Sequence, residues 1–175
     1  MTKEMKAGIA AAVAEWARTR LESLDHIRET MLGTIQAERE RIAKLEESAF
    51  DDYLDSLEYD QQLFEEAEVL VGGLLLVGLY SAVEHFAKQL LRHRYPAHQV
   101  KQLYRIENLK EALARDCSVN LASIRCFEQI DELRQKNNKV KHGEPIGESA
   151  LAAYGRLKDA VVPYLEQLAL AVIPD

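Results

Sequence analysis

The stretch "RQKNNKVKHGEP", residues 134–145, gathers Arg134, Lys136, Lys139, Lys141 and His142 within nine residues, and its first acid is Glu144. These residue types handle phosphate. A guanidinium offers forked donors to anionic oxygens, a lysine brings a mobile point charge, and an imidazole moves a proton near neutral pH. Part of the cluster is what any helix end favours. Cations complement the negative end of the helix macrodipole, and glycine commonly follows the last turn. Lys139, Lys141, His142 and Gly143 fit that pattern. Arg134, Asn137 and Asn138 fit it less well, because asparagine is a mediocre helix former and two together carry a cost.

Helical geometry relates these side chains. At about 100° per residue, Asn138 lies about 40° from Arg134 and His142 about 80°. Leu133 and Val140 lie on the other side, about 100° and 120° away. Arg134, Asn138 and His142 therefore form a polar strip beside an apolar stripe. Such a strip lines a groove, either within a bundle or across a dimer.

The elements that must hold this strip are helices. The chain has 175 residues, 47% of them apolar and 29% charged, with only 8 Gly and 4 Pro. Ala, Leu, Glu, Lys, Arg and Gln dominate, so an all-α protein of one domain, or one domain with an appendage, is expected. The net charge of −7 argues against a broad, non-specific nucleic-acid surface but leaves room for a local basic patch. Cys117 and Cys126 are too few for a disulfide scaffold and read as reduced, partly buried thiols of a cytoplasmic protein. The N-terminal "MTKEMKAGIAAAVAEW" has acids on both sides of its apolar run and makes a poor signal peptide.

Along the chain, Leu21, Leu24, Met31, Ile35, Ile42 and Leu45 follow a three-four spacing, which predicts one long helix over 3–45 with a narrow seam. This gives a coiled-coil-like arm over residues 1–48 and a helical bundle over 49–175. Asp51, Asp52, Asp55, Glu58, Asp60, Glu65, Glu66 and Glu68 spread around the next helix and read as a solvated face, not a metal site. The apolar run 69–83 has fifteen residues, short of the roughly 20 that a membrane span needs. It reads as a buried core helix over 65–94, ended by Tyr95-Pro96. His85, His93 and His98 lack metal-ligand spacing. A short helix is expected over 107–115. Asn120 can cap a helix running to about 142, with Gly143 as a left-handed C-terminal cap and Pro145 blocking continuation. Ser149 can open a last helix to about 172, kinked or divided at Pro163.

The stretch "IDELRQKNNKVKHGEP", paired with "LLLVGLYSAVEHFAKQLL", resembles the HEPN superfamily of helical bundles. That family's motif is an arginine, four to six residues, and a histidine near a helix end; here seven residues separate Arg134 from His142. The ending also resembles HEPN-like bacterial proteins with an "N-x-x-KHG" signature. The resemblance spans roughly residues 65–170. It implies a homodimer and, in active members, a metal-independent endoribonuclease of toxin or defence type in which the RNA's own 2′-hydroxyl attacks the adjacent phosphate. In that reading His142 moves a proton, Arg134 neutralises charge on the phosphate and Asn138 orients the histidine or holds an oxygen. Lys136, Lys139 and Lys141 hold the RNA backbone, with Asn137 as a further substrate contact. Tyr80 and Glu84 support the site from the facing helix; Glu84 either pairs with Arg134 or simply ends an apolar run. No metal or cofactor is implied. Other members have lost catalysis, which implies the alternative of a binding module using the same groove, with an antitoxin or another protein as partner. A mainly structural dimer is the third reading. None of the three needs a membrane.

Overall fold

The computed structural model describes residues 2–46 and 54–173, and every regular element within them is helical. The boundary expected at 48/49, with Asp51, Asp52 and Tyr53, lies outside the described residues. Helix α1 spans Lys3–Glu46. Thr2 Oγ1 accepts from the Met5 N–H at 3.3 Å, an N-terminal cap. Ala10, Val13, Ala14, Ala17 and Leu24 recur at helical spacing and are all buried. The N-terminal half of the expected arm therefore shares the core of the bundle. The C-terminal half lies along α2.

Helix α2 spans Leu54–Leu91 and starts well before the expected residue 65. The acidic stretch is made of good helix formers, and it is tied to α1. Arg39 reaches Glu68 at 3.0 Å and stacks 5.7 Å from the Phe64 ring. Two glycines in α2 allow close helix contact. A Cβ at Gly72 would sit 2.7 Å from Ala150 Cβ and 2.8 Å from the Leu151 nitrogen, and one at Gly78 would sit 2.9 Å from Leu24 Cδ2. The Tyr59–Leu91 part of α2 is long and apolar enough to cross a membrane by length and composition. Its most apolar window has mean hydropathy 1.7 and is 50% buried inside the bundle.

A short helix, α3 (Ala97–Val100), and a 3-10 turn lead to α4 (Ile106–Cys117). Asn120 does cap, its Oδ1 accepting from the Ala122 N–H at 3.0 Å, but what it caps is a 3-10 turn over Leu121–Ser123. Cys126 then adopts φ 61°, and α5 runs only over Phe127–Lys141. The single helix expected from 120 is thus two elements, because a left-handed residue cannot continue a right-handed helix. The end of α5 follows expectation. Gly143 has φ 68°, its N–H donates to the Val140 carbonyl at 3.2 Å, and the Glu144 N–H donates to that of Lys139 at 2.8 Å, the paired bonds of a Schellman cap.

The last helical stretch divides as Pro163 demands: α6 (Ala150–Leu157), a 3-10 turn over Lys158–Ala160, and α7 (Val161–Val172). Pro163 lacks the N–H that would bond back into that turn. Helix α7 forms the centre of the core, burying Val161, Tyr164, Leu165, Leu168, Ala169 and Val172. A polar tie joins α1 to this region. Asp25 accepts from Tyr154 Oη at 3.1 Å and Lys158 Nζ at 2.8 Å. Burial opposes ionisation of Asp25, but these two bonds outweigh it and hold its pKa below the usual value.

Candidate functional site

Helices α2 and α5 run antiparallel, and Arg134 faces a small cleft of about 60 Å³ between them. Tyr80, Glu84 and Lys88 line it from α2, Asp131 and Arg134 from α5, and Tyr164 from α7. The structure thus brings Arg134 together with Tyr80 and Glu84, as expected from sequence. Its ion pairing is different. Arg134 Nε donates to Asp131 Oδ1 on its own helix at 2.8 Å, and Glu84 approaches Lys88 at 4.0 Å. An intrahelical partner three residues away needs no rearrangement of the facing helix. Burial works against ionised Asp131, yet the bonds from Arg134 and Gln135 win and lower its pKa. Burial, then the nearby Glu84 carboxylate, pushes Tyr80 up to about 12. Burial, then Tyr80 and Asp131, raises Tyr164 as well. Both phenols stay protonated at neutral pH. The cleft therefore offers phenolic donors beside paired charges.

Asn138 and His142 do not line that cleft; both are exposed farther along α5, and His142 is the residue just past its last turn. Lys139 and Lys141 are exposed beside them. Asn137, expected to contact substrate, is instead 1% exposed. Its Nδ2 donates to Asn138 Oδ1 at 3.4 Å, and its own Oδ1 is buried without a partner. Lys136 is also withdrawn from solvent. Its Nζ bonds Glu148 at 2.7 Å and the Ile146 carbonyl at 3.2 Å, with Glu132 at 3.6 Å. Arg156 closes the network, reaching Glu132 at 2.6 Å and Glu148 at 2.8 Å. Two expected substrate contacts are therefore a core residue and a structural strap. The bond from Arg156 most strongly lowers the pKa of Glu132, and the bond from Lys136 that of Glu148.

That strap ties the α5–α6 connection to both helices, and the connection and α2 line a second, larger groove of about 840 Å³. Val69, Leu70, Leu74 and Val77 line it from α2; Val140, Ile146 and Leu151 line the opposite wall. Val69, Leu70 and Leu74 are 69%, 67% and 62% exposed. Sequence reasoning placed all of the 69–83 run in the core and missed this face. The signal was present: a run that is apolar all round must meet either a core or a partner on every side.

Asp131 and Tyr164 in the cleft, and Glu148 and Arg156 in the strap, were also not foreseen. The Asp131–Arg134, Glu84–Lys88 and Glu132–Lys136 spacings each advertised a local pair; the reach of Arg156 to Glu132 did not. Cys117 and Cys126 are free and half-buried. Among the described residues, no three His, Cys, Asp or Glu side chains converge as a metal-ligand set. No family model, curated protein or solved structure matches the chain.

Proposed function

We propose that the chain is a cytoplasmic, HEPN-like interaction module that binds another polypeptide through the groove beside α2 and does not cleave RNA. The observation that carries this reading is the groove itself. Its α2 wall leaves three large aliphatic side chains mostly exposed, and contiguous apolar surface of this kind marks interaction sites. The basic segment supports the non-catalytic side. At the spacings the resemblance would require before His142, four to six intervening residues, stand Asn137, Lys136 and Gln135. None is an arginine, and the first two are buried or strapped. The two free thiols fit a reducing compartment.

One observation favours the endoribonuclease as second reading: Arg134 lines a cleft and His142 is exposed at the end of the same helix. Incubating the full chain with total RNA and EDTA, beside its Arg134→Ala and His142→Ala variants, separates the two. The module reading expects intact RNA in every lane. Cleavage by the wild type that His142→Ala abolishes would overturn it and make the toxin or defence nuclease the better account.

A further inference from the structure

We infer that the occupant of the groove beside α2 is a cationic amphipathic helix of another protein, apolar on one face and bearing lysine or arginine along both flanks. This rests on the reading of the chain as an interaction module and states the chemistry of its partner. The groove is apolar in the middle. Val69, Leu70, Leu74 and Val77 surround Gly73 at helical spacings of one, three and four residues, so the missing side chain leaves a hollow in the α2 wall. A Cβ at Gly73 would come 3.3 Å from Val140 Cγ1, which places α5 at the floor. A hollow edged by side chains at those spacings takes a large side chain from a docked helix.

An extended segment fits less well. Main-chain pairing needs a sheet edge, and among the described residues every regular element is helical. A helix instead presents apolar anchors at i, i+3 or i+4, and i+7. From Glu65 to Val77 the α2 wall runs about 18 Å, the length of about three helical turns. A further hollow of about 470 Å³, lined by Gln62, Glu65, Glu66, Val69 and Leu70, continues the same face toward the N-terminal end of α2. Charge then selects the partner. Glu65, Glu66, Glu68, Glu144 and Glu148 line the two hollows, and no lysine, arginine or histidine does. Lys139 and Lys141 flank Val140 in sequence but lie about 100° to either side of it around α5. Glu68 is already paired with Arg39, and Glu148 with Lys136 and Arg156. Glu65 on α2 and Glu144 on the opposite wall hold no ion pair among the described residues. A helix lying between them meets an unpaired carboxylate on each side, and cations on both its flanks complement them. A second copy docked through this same face, or an anionic bilayer, would bring more negative charge to that rim.

The test is fluorescence anisotropy of the full chain with a labelled peptide of two repeats of Leu-Lys-Lys-Leu-Leu-Lys-Leu, beside the matching Leu-Glu peptide. The Leu-Lys peptide is expected to bind at micromolar concentration, and the Leu-Glu peptide at least about tenfold more weakly. Leu70→Lys, at a position already exposed, should keep native helical circular dichroism and weaken the Leu-Lys peptide about tenfold. The rim variant Glu65→Lys/Glu144→Lys should do the same. The remote variant Glu22→Lys/Glu111→Lys, which changes net charge equally, should leave the affinity as it was. Equal binding of the two peptides, affinity indifferent to Leu70→Lys, or equal weakening by the rim and remote variants would each overturn the proposal. So would a dimer in sedimentation equilibrium that Leu70→Lys dissociates, or Leu70-dependent uptake by phosphatidylcholine–phosphatidylglycerol vesicles. The RNA assay is independent. A chain that leaves RNA intact and ignores the Leu-Lys peptide loses this partner and keeps the module, whereas one that binds the peptide and cuts RNA through His142 does the reverse.

Discussion

Asn137 lies about 60° from Arg134 on α5, on the side of Leu133 and Val140. It falls inside the apolar stripe, so its burial was legible from the sequence. What the stripe does not reveal is the company a buried amide keeps; here Oδ1 has no partner. Arg134 shows a different limit. The sequence placed it beside α2, which holds, but its choice of Asp131 over Glu84 depends on rotamers that no spacing fixes. Asp25 was not singled out at all, because its partners Tyr154 and Lys158 are distant in sequence. Asp25→Ala leaves the Tyr154 hydroxyl and Lys158 unpaired and should cost about 2 kcal/mol in urea unfolding. A loss near zero would show that the tie between α1 and α6 is ornamental.

At the scale of elements, local signals read well and long-range ones did not. The Gly143 cap and the Pro163 division follow from backbone rules that act within a few residues. The acidic stretch was read as helical but set apart from the core helix expected over 65–94; the two are one helix, since glutamate and glutamine continue a helix readily. The left-handed Cys126 had no sequence signal, since non-glycine residues adopt that conformation only when their surroundings impose it. The glycines of α2 give graded expectations. Gly72→Ala drives a methyl group onto the α6 backbone and should destabilise by about 1–3 kcal/mol. Gly78→Ala meets only the end of the Leu24 side chain and should cost less. Equal thermal shifts in the two variants would contradict that contrast. Gly143→Ala, at φ 68°, should cost about 1 kcal/mol by strain in the cap.

For the whole molecule, the all-α class and single core were set by composition and periodicity, while the distribution of exposure was not. Periodicity says that α2 is apolar; only the assembled bundle shows which flank remains outside. The same assembly concentrates carboxylates in ion pairs that set the response to acid. Asp25, Asp131, Glu132 and Glu148 have lowered pKa values in the folded state. Their contribution is complete above the unfolded values near 4 and is lost as pH falls through the lower, folded ones. Urea midpoints should therefore stay flat from about pH 7 to 5 and fall below about pH 4. A midpoint unchanged to about pH 2 would mean these pairs add nothing to stability.

The most direct measurement of whether this protein works by association through α2 is amide hydrogen exchange of the full chain. It would be followed in EDTA, with and without the Leu-Lys peptide and with and without excess single-stranded RNA. Exchange over residues 66–81 that the peptide slows, with residues 134–142 unchanged by RNA, is the predicted result. RNA-dependent protection of 134–142, with 66–81 indifferent to the peptide, would contradict it and return the basic end of α5 to the centre of the protein's chemistry.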